Sequence, residues 1–556
     1  MDVIPAIVAF FVLLTPASAG MITEFCPDTY LSGDSDEYIV FQASGDLDGT
    51  MITDGEGGFR FPAGVTRTGP LVIASNGTAY TMVHHQPPDF EIRNHSPVIP
   101  DVVTSGNFQM ANSQDELMVY ENNLLTQKIT WPGDVSPREG QVHYYTDGTW
   151  DKRVLMMGQS RLDARTFDGV SGTCFITPDC SGEVYEQCIN SAKSEILVNV
   201  YEFTSPAMAD ALINAHKRGI NVTVLLEGGP VGGISAGENE ICSRLVREHI
   251  PVFFMGTTGI SHAPYRYDHA KYIVVDGESL FITSENFTDN GFPGSGDTGN
   301  RGWGICLHDK GIASYFRNIF LSDLHGDGIF PTKGKSGDTS VPVRADHTRE
   351  FSPETYDAMT VTPVIAPDTS YLITDLLKGA ERWIDIEQAY ITNESPGVLN
   401  PYLGEAVNAS RRGVHVRVLL DSYWFNTDGP TDNDELVVYL NQVAKDEGLP
   451  LEARCAGLEE NQIEKIHNKG VIVDSRKVLI SSINWNTNSP TFNREAGVII
   501  ESPETGVYYG RAFADDWDST GTGDSGNSRQ QDYKLIIAGI IICGLVILYW
   551  KRRKET

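Results

Sequence analysis

Two stretches of the chain carry one pattern: HAKYIVVDGESLFITSENFT at residues 269–288 and HNKGVIVDSRKVLISSINWN at residues 467–486. In each, a histidine and a lysine two positions apart precede an apolar run that an aspartate closes. A second apolar run then ends in Ser-x-Asn. The shared spacing is His-x-Lys-x4-Asp-x6-Thr/Ser-Ser-x-Asn. Each copy reads as strand, tight turn, strand. Asp276-Gly277 is a strong hairpin signal, whereas Asp474-Ser475-Arg476-Lys477 predicts a looser turn. Side chains alternate along a strand, so His269 shares a face with Lys271, and His467 with Lys469. On the returning strands Ser284 shares a face with Asn286, and Ser482 with Asn484. Closing each hairpin therefore brings imidazole, ammonium, hydroxyl and carboxamide to one patch. Asp276 and Asp474 fall on the opposite phase and read as structural turn or pairing residues.

The surroundings of the two hairpins repeat as well. In the first copy EVYEQCINSAKS reads as a helix and EILVNVYEF as a strand. MADALINAHKRG follows as an amphipathic helix stopped by Gly219, and then the strand INVTVLLE. The second copy offers YLITDLLKGAER, WIDIEQAYI, LGEAVNASRRG and VHVRVLLD in the same order. Lys217-Arg218-Gly219 answers Arg411-Arg412-Gly413, and Glu227 answers Asp421. Strands alternating with helices imply βαβ units and a largely parallel sheet, so residues 176–335 and 336–517 read as a duplicated α/β domain.

The repeated side chains define a chemistry. Lysine and asparagine are donors without a redox role, and two lysines with amide donors suit an anion. Histidine is a nucleophile or an acid–base group near neutral pH. One histidine attacking a phosphodiester leaves a poor alkoxide leaving group, and a second, protonated histidine supplies the missing proton. The donors stabilise charge on the equatorial oxygens of the transition state. This scheme needs no metal and no other cofactor, and two lysines would repel a metal ion.

The two stretches resemble the paired HKD motifs of the phospholipase D superfamily, and the resemblance spans both halves. It implies two similar α/β lobes sharing one active site at their pseudo-two-fold interface, and a covalent phosphohistidine intermediate. By that resemblance His269 is the nucleophile and His467 the acid. Lys271, Asn286, Lys469 and Asn484 grip phosphate, and Ser284, Ser482, Asp276 and Asp474 support them. The superfamily often places a glutamate after the motif to hold the histidine's other nitrogen. Glu495, in NREAG, suits that job for His467. The matching first-half stretch is NRGWG, with Gly302 where the glutamate belongs. Orientation of His269 is then left to Asp268 or to a backbone carbonyl.

Residues 20–135 read as a small all-β sandwich, with short strands between Gly, Asp and Pro turns and no helical periodicity. MITEF, DEYIVF (36–41), TDGEGGFRFPAG (53–64) and DELMVYENN (115–123) resemble the lamin-tail domain, an immunoglobulin-like fold that implies a binding or tethering module. His84-His85 reads as loop, His262 and Tyr265 as solvated loop residues, and 136–175 as a linker.

The termini are apolar. Residues 1–19 end in an A-x-A site and read as a signal peptide. The polar stretch 518–532 reads as a flexible stalk, 533–551 as a membrane span and 552–556 as a basic cytoplasmic tail. The expected place is a prokaryotic cell surface, single-pass, with the catalytic mass outside. Cys174 and Cys180 are close enough to bridge, and their spacing without companion histidines gives no zinc motif.

The 556-residue chain carries a formal charge of −32, a field that repels phosphate backbones unless a local basic patch intervenes. Three functions stay open on sequence: a membrane-anchored enzyme hydrolysing phospholipid or transferring its headgroup, an extracellular metal-independent nuclease of the same mechanism, and a non-catalytic surface binder. GGPVGGISAGENE (228–240) and SYWFNTDGPTDND (422–434) follow corresponding strands and read as the pocket rim.

Overall fold

A computed structural model describes residues 20–259, 261–332, 334, 344–395, 397–429 and 432–519. The expected signal peptide, the stalk beyond Ser519, the membrane span and the basic tail lie outside the described residues. Among the described residues no helix is long and apolar enough to cross a membrane. The chain divides into two compact units.

The first unit comprises Met1–Gln159 and Thr258–Pro264. Its described part is a two-sheet β-sandwich. One sheet runs Thr149–Trp150, Gln141–Thr146, Gly20–Cys26, Tyr38–Asp46, Thr66–Ala74 and Phe90–Glu91. The other runs Val103–Gly106, Gly57–Arg60, Thr50–Thr53, Asp115–Glu121 and Leu124–Trp131. Phe25, Phe41, Ile52, Phe59, Val119 and Trp131 fill the space between them. The sandwich is longer than the sequence suggests. Gln141–Thr146 pairs with Gly20–Cys26, Glu24 opposite Tyr144, so the first part of the expected linker is sheet. One helix, Gly77–His84, interrupts the strands. Asn76 caps it by accepting the N–H of Ala79 at 3.0 Å, and His85 ends it at φ +56°. The histidine pair is thus a helix terminus, not loop. His262 is exposed, as expected, and stacks on Tyr30 at 3.5 Å within this unit.

The second unit, Ser160–Thr257 with Tyr265–Thr556, holds both copies of the repeat around one fifteen-stranded sheet. The strand order is Ile329–Pro331, Val252–Met255, Asn221–Glu227, Glu195–Val200, Lys271–Val275, Ser279–Thr283, Gly302–His308 and Phe167–Thr177. It continues through Glu354–Ala366, Glu495–Glu501, Lys477–Ser481, Lys469–Val473, Trp383–Gln388, His415–Leu420 and Leu451–Cys455. Apart from the first strand the order reads the same from either end, as duplication requires. Phe167–Thr177 and Glu354–Ala366 pair antiparallel at the centre, so the last part of the expected linker, from Phe167 on, is a central strand.

The sheet is mixed rather than largely parallel. Parallel pairing is confined to Glu195–Val200 with its two outer neighbours and to Trp383–Gln388 with its own. The motif hairpins, needing only tight turns, bring antiparallel strands between those crossover units and the centre. Helices cover each half. Pro206–Lys217 starts at the Ser205 cap, and Gly219 beyond it turns the chain at φ +93°; Gly413 does the same at +96° in the second copy. Leu212, Ile213, Val224 and Ile273 lie in the first core, and Leu403, Val407, Val418 and Val471 in the second. Each such side chain stabilises the fold by about 1.5–3 kcal/mol.

Candidate active site

The two hairpins superpose in detail. Val275 faces Ser279 and Val473 faces Lys477, so both turns contain three residues. The second turn is therefore as tight as the first. Ser475 adopts φ +51° where Gly277 has +63°. The Asp276 carboxylate accepts the backbone N–H groups of Lys193, Ser194 and Glu195 at 2.7–2.8 Å. Asp474 accepts those of Glu381, Arg382 and Trp383 at 2.8–3.0 Å. Each aspartate ties its turn to the chain entering the neighbouring strand, at the opposite end of the hairpin from the histidine.

At that histidine end the two lobes meet. The N–H of His269 donates to the carbonyl of Arg494 at 2.8 Å, and the N–H of His467 to the carbonyl of Arg301 at 2.8 Å. Each imidazole then faces a carboxylate from the other copy. Nδ1 of His269 lies 2.8 Å from Oε2 of Glu495, and Nδ1 of His467 lies 3.3 Å from Oε2 of Glu285. The expected pairing of Glu495 with His467 is therefore corrected, and neither Asp268 nor a carbonyl orients the His269 ring. The strand bearing Glu495 runs beside the first copy's histidine because the lobes pair head to head at the sheet centre.

Glu285 takes the place that Gly302 leaves. A Cβ on Gly302 would collide with Oε1 of Glu285 and stand 2.6 Å from Oγ of Ser284. In the second copy the positions are exchanged: Ile483 answers Glu285, and Glu495 answers Gly302. Each lobe thus supplies one carboxylate, Glu285 from just past the hairpin's return strand and Glu495 from the start of the next strand. Further bonds fix both. Ser482 Oγ donates to Glu495 Oε2 at 2.6 Å and Asn493 Nδ2 to Oε1 at 3.0 Å. Asn300 Nδ2 donates to Glu285 Oε2 at 3.0 Å. Ser284 Oγ accepts the N–H of Trp303 at 3.1 Å.

Lys271 Nζ donates to the carbonyl of His269 at 2.8 Å, and Lys469 Nζ to that of His467 at 2.6 Å. One N–H of each ammonium is so used, which aims the remaining donors. The carboxamide oxygens of Asn286 and Asn484 are buried without a hydrogen-bond partner among the described residues. Burial lowers Lys271 to about 8. It also lowers Lys469, which Lys271 repels further. Burial brings His269 down to about 4, against the pull of Glu495. His467 is lowered by burial and by Lys469, Lys465 and Lys271. Burial raises Glu285, opposed by Lys469. The cleft thus gathers two lysines and two histidines whose charged forms burial disfavours, an arrangement that a bound anion would offset.

Two buried arginines brace it. Arg301 meets Asp179 and Asp516, each at 2.9 Å. Arg494 meets Asp323 at 2.8 Å and Asp368 at 3.5 Å, and it also bonds the hydroxyl of Tyr265. Tyr265 is accordingly buried, not a solvated loop residue. The residues before the histidines are held in the same way twice. Glu227 accepts the N–H of Asp268 at 2.6 Å, and Asp421 the N–H of Ile466 at 2.7 Å. The copies differ at the mouth: Tyr201 meets the His269 ring edge-on at 4.7 Å, where the second copy has Ala389, and Lys465 answers Tyr267.

A family model for the cardiolipin synthase, PLD-like domain matches residues 185–324 and 373–517, more than half of the chain. The chain belongs to the phospholipase D superfamily. Its reaction class is accordingly the superfamily's, cleavage or phosphatidyl transfer at a phosphodiester. A phospholipase D of Rickettsia prowazekii (strain Madrid E) is 25% identical over 182 residues, covering 32% of this chain and 81% of that protein. The phosphatidylserine synthase of Haemophilus influenzae Rd KW20 covers 67% of this chain and 94% of its own at 14% identity, with a TM-score of 0.47. Nuc of Salmonella typhimurium, a phospholipase D family member, covers 31% of this chain and 100% of its own at 20% identity and a TM-score of 0.25. Within this phospholipase D-like unit the sequence reading overlooks Glu285, Arg301, Arg494, Tyr201 and Lys465. The signal for Glu285 is present: an acidic residue inside one Ser-x-Asn and a glycine where the other copy has its glutamate.

Proposed function

We propose that this chain is a membrane-anchored, outward-facing phospholipid phosphodiesterase that acts through a phosphohistidine. The observation that carries this reading is the 2.8 Å pairing of His269 Nδ1 with Glu495. It supports a ring proton on Nδ1, donated to the carboxylate, and a lone pair on Nε2. That lone pair attacks phosphorus, the bond from phosphorus to the leaving oxygen breaks, and His467 gives that oxygen its proton. Water, or an acceptor alcohol, then loses its proton to His467 and attacks the phosphohistidine, freeing His269. Lys271, Lys469, Asn286 and Asn484 donate to the non-bridging oxygens throughout.

The net charge of −32 favours a phospholipid over a nucleic acid, because a long polyanion meets repulsion outside the cleft. The family description, a cardiolipin synthase domain, points the same way. In this reading the apolar run at 533–551 is the anchor, and the lamin-tail-like sandwich is a binding or tethering module.

The test is direct. Wild-type protein quenched in alkaline denaturant during turnover of a phosphodiester is expected to carry one phosphoryl-ester adduct, read by intact mass, that later acid treatment removes. Phospholipid vesicles are expected to be turned over faster than single-stranded DNA, with or without chelator. Turnover that survives in both His269→Ala and His467→Ala would sink the catalytic assignment.

A further inference from the structure

We infer that the turn Tyr423–Phe425 and the loop tip at Val231 form a docking rim that seats the active-site mouth on a phospholipid bilayer. The inference rests on the phospholipid reading above. Trp424 is 61% exposed, Phe425 71% and Val231 79%. The two aromatic rings touch each other, with centroids 5.8 Å apart.

Both segments lie at the cleft. The N–H of Val231 donates to the Tyr201 hydroxyl at 2.8 Å, and the Tyr201 ring abuts His269. On the other side Asn426 donates to Asp421 at 2.8 Å, and Asp421 holds the N–H just before His467. The loops follow equivalent strands, Asn221–Glu227 and His415–Leu420, so the pseudo-two-fold relates the two apolar tips, each linked through these contacts to the segment that carries a histidine.

The chain's own exit selects the occupant. Ser519 is the last described residue, and its carbonyl lies 2.8 Å from where a Cβ on Gly457 would stand. Gly457 follows Ala456, whose carbonyl accepts the Ser422 hydroxyl at 2.7 Å, one residue before Tyr423. The chain therefore leaves the catalytic unit at the edge that carries the aromatic turn. Residues 520–532 then lead to the apolar run, a reach of at most ~45 Å. The bilayer entered by that run lies within reach of the rim. Base stacking on single-stranded nucleic acid would need a basic groove around these rings, and the acidic chain opposes one. The same charge repels anionic headgroups, so apolar insertion rather than electrostatic adsorption has to hold the contact.

The full-length chain is reconstituted in phosphatidylcholine vesicles with and without brominated acyl chains, and tryptophan quenching is compared between wild type and Trp424→Phe. Quenching through Trp550 and every other tryptophan is common to both. A quenched component present only in wild type, unchanged by added salt, is expected. Equal quenching in both proteins overturns the rim. In parallel, the double variant Trp424→Glu, Phe425→Glu is expected to lose at least ~10-fold in turnover of vesicle lipid and to stay within ~2-fold on bis(4-nitrophenyl) phosphate. Equal loss on both substrates also overturns it. Wild type quenched at Trp424 that cleaves only DNA sinks the substrate reading and leaves the rim. Lipid turnover without Trp424 quenching does the reverse.

Discussion

The carboxylate of Glu285 occupies the volume that Gly302 leaves empty, and from there it faces His467 across the lobe boundary at 3.3 Å. The second copy solves the same problem with the positions exchanged, Ile483 on the hairpin and Glu495 on the next strand. Glu285→Gln is expected to lower kcat roughly 10–100-fold with little change in KM, because it removes orientation and not phosphate contact. Gly302→Ala is expected to act similarly, by pushing the glutamate aside. Transplanting the second copy's solution, Glu285→Ile with Gly302→Glu, is expected to recover activity relative to Glu285→Ile alone. A double variant no better than the single would show that the two solutions are not interchangeable.

The electrostatics of the cleft are open to titration. His269 is lowered to about 4 by burial, and Glu495 holds it from falling further. Imidazole carbon shifts, assigned by their loss in His269→Ala, are expected to show a midpoint near 4 rather than 6.5. Glu495→Gln should move that midpoint lower still. His467 is depressed by burial and then by Lys469, Lys465 and Lys271. A bound phosphate-like anion offsets those cations, so vanadate is expected to raise the His467 midpoint. That rise is what fits the ring to protonate a leaving group only when substrate is present. An unmoved His467 midpoint would remove this coupling.

The repeat, the hairpins and the shared faces of His269 with Lys271 and of His467 with Lys469 follow from spacing and alternation and are legible in the sequence, whereas the joining of the two patches in one site is what the family resemblance implies. What pattern reading misassigned was the partner of each histidine. Sequence distance favours Glu495 for His467, both lying in one copy. The sheet instead joins the copies centre to centre, so each imidazole meets the other lobe's carboxylate. The parallel bias was misread for a related reason, since βαβ signals reveal the crossover strands and not the hairpins inserted among them. The buried Arg301 and Arg494 were hidden because one residue type serves solvent or a buried pair alike. Only the fold brings Asp179 and Asp516 to one, and Asp323 and Asp368 to the other.

Glu227 shows a cost of holding the site. Burial raises its carboxyl to about 7 from 4.5 while it accepts the N–H of Asp268. A carboxyl raised in the folded state favours folding below its unfolded value and loses that contribution as pH climbs through the folded one. Wild type should therefore lose stability relative to Glu227→Gln between pH 4.5 and pH 7. The difference should approach about 3 kcal/mol above that window and vanish below it. Thermal unfolding of both proteins at acid and alkaline pH measures this difference. A constant offset across pH would mean that Glu227 does not titrate in the window.

Arg301 joins structure to chemistry, because its guanidinium is shared by Asp179 and Asp516 while its carbonyl receives the N–H of His467. Arg301→Leu keeps much of the buried volume and takes the cation from two carboxylates, leaving Asp179 to His347 and the N–H groups of Glu350 and Phe351, and Asp516 to Asn461, a loss expected at about 3–5 kcal/mol. Salt should not relieve it, since screening reaches buried pairs poorly. The cause can be separated from packing. Adding Asp516→Asn to Arg301→Leu removes one buried charge that has lost its cation and leaves the same cavity, so part of the stability should return. If the double variant is instead no more stable than the single, the arginine acts by filling space. Turnover offers a second reading. Loosening at Arg301 frees the backbone that seats His467, so Arg301→Leu should lose activity at temperatures where the protein is still folded by circular dichroism.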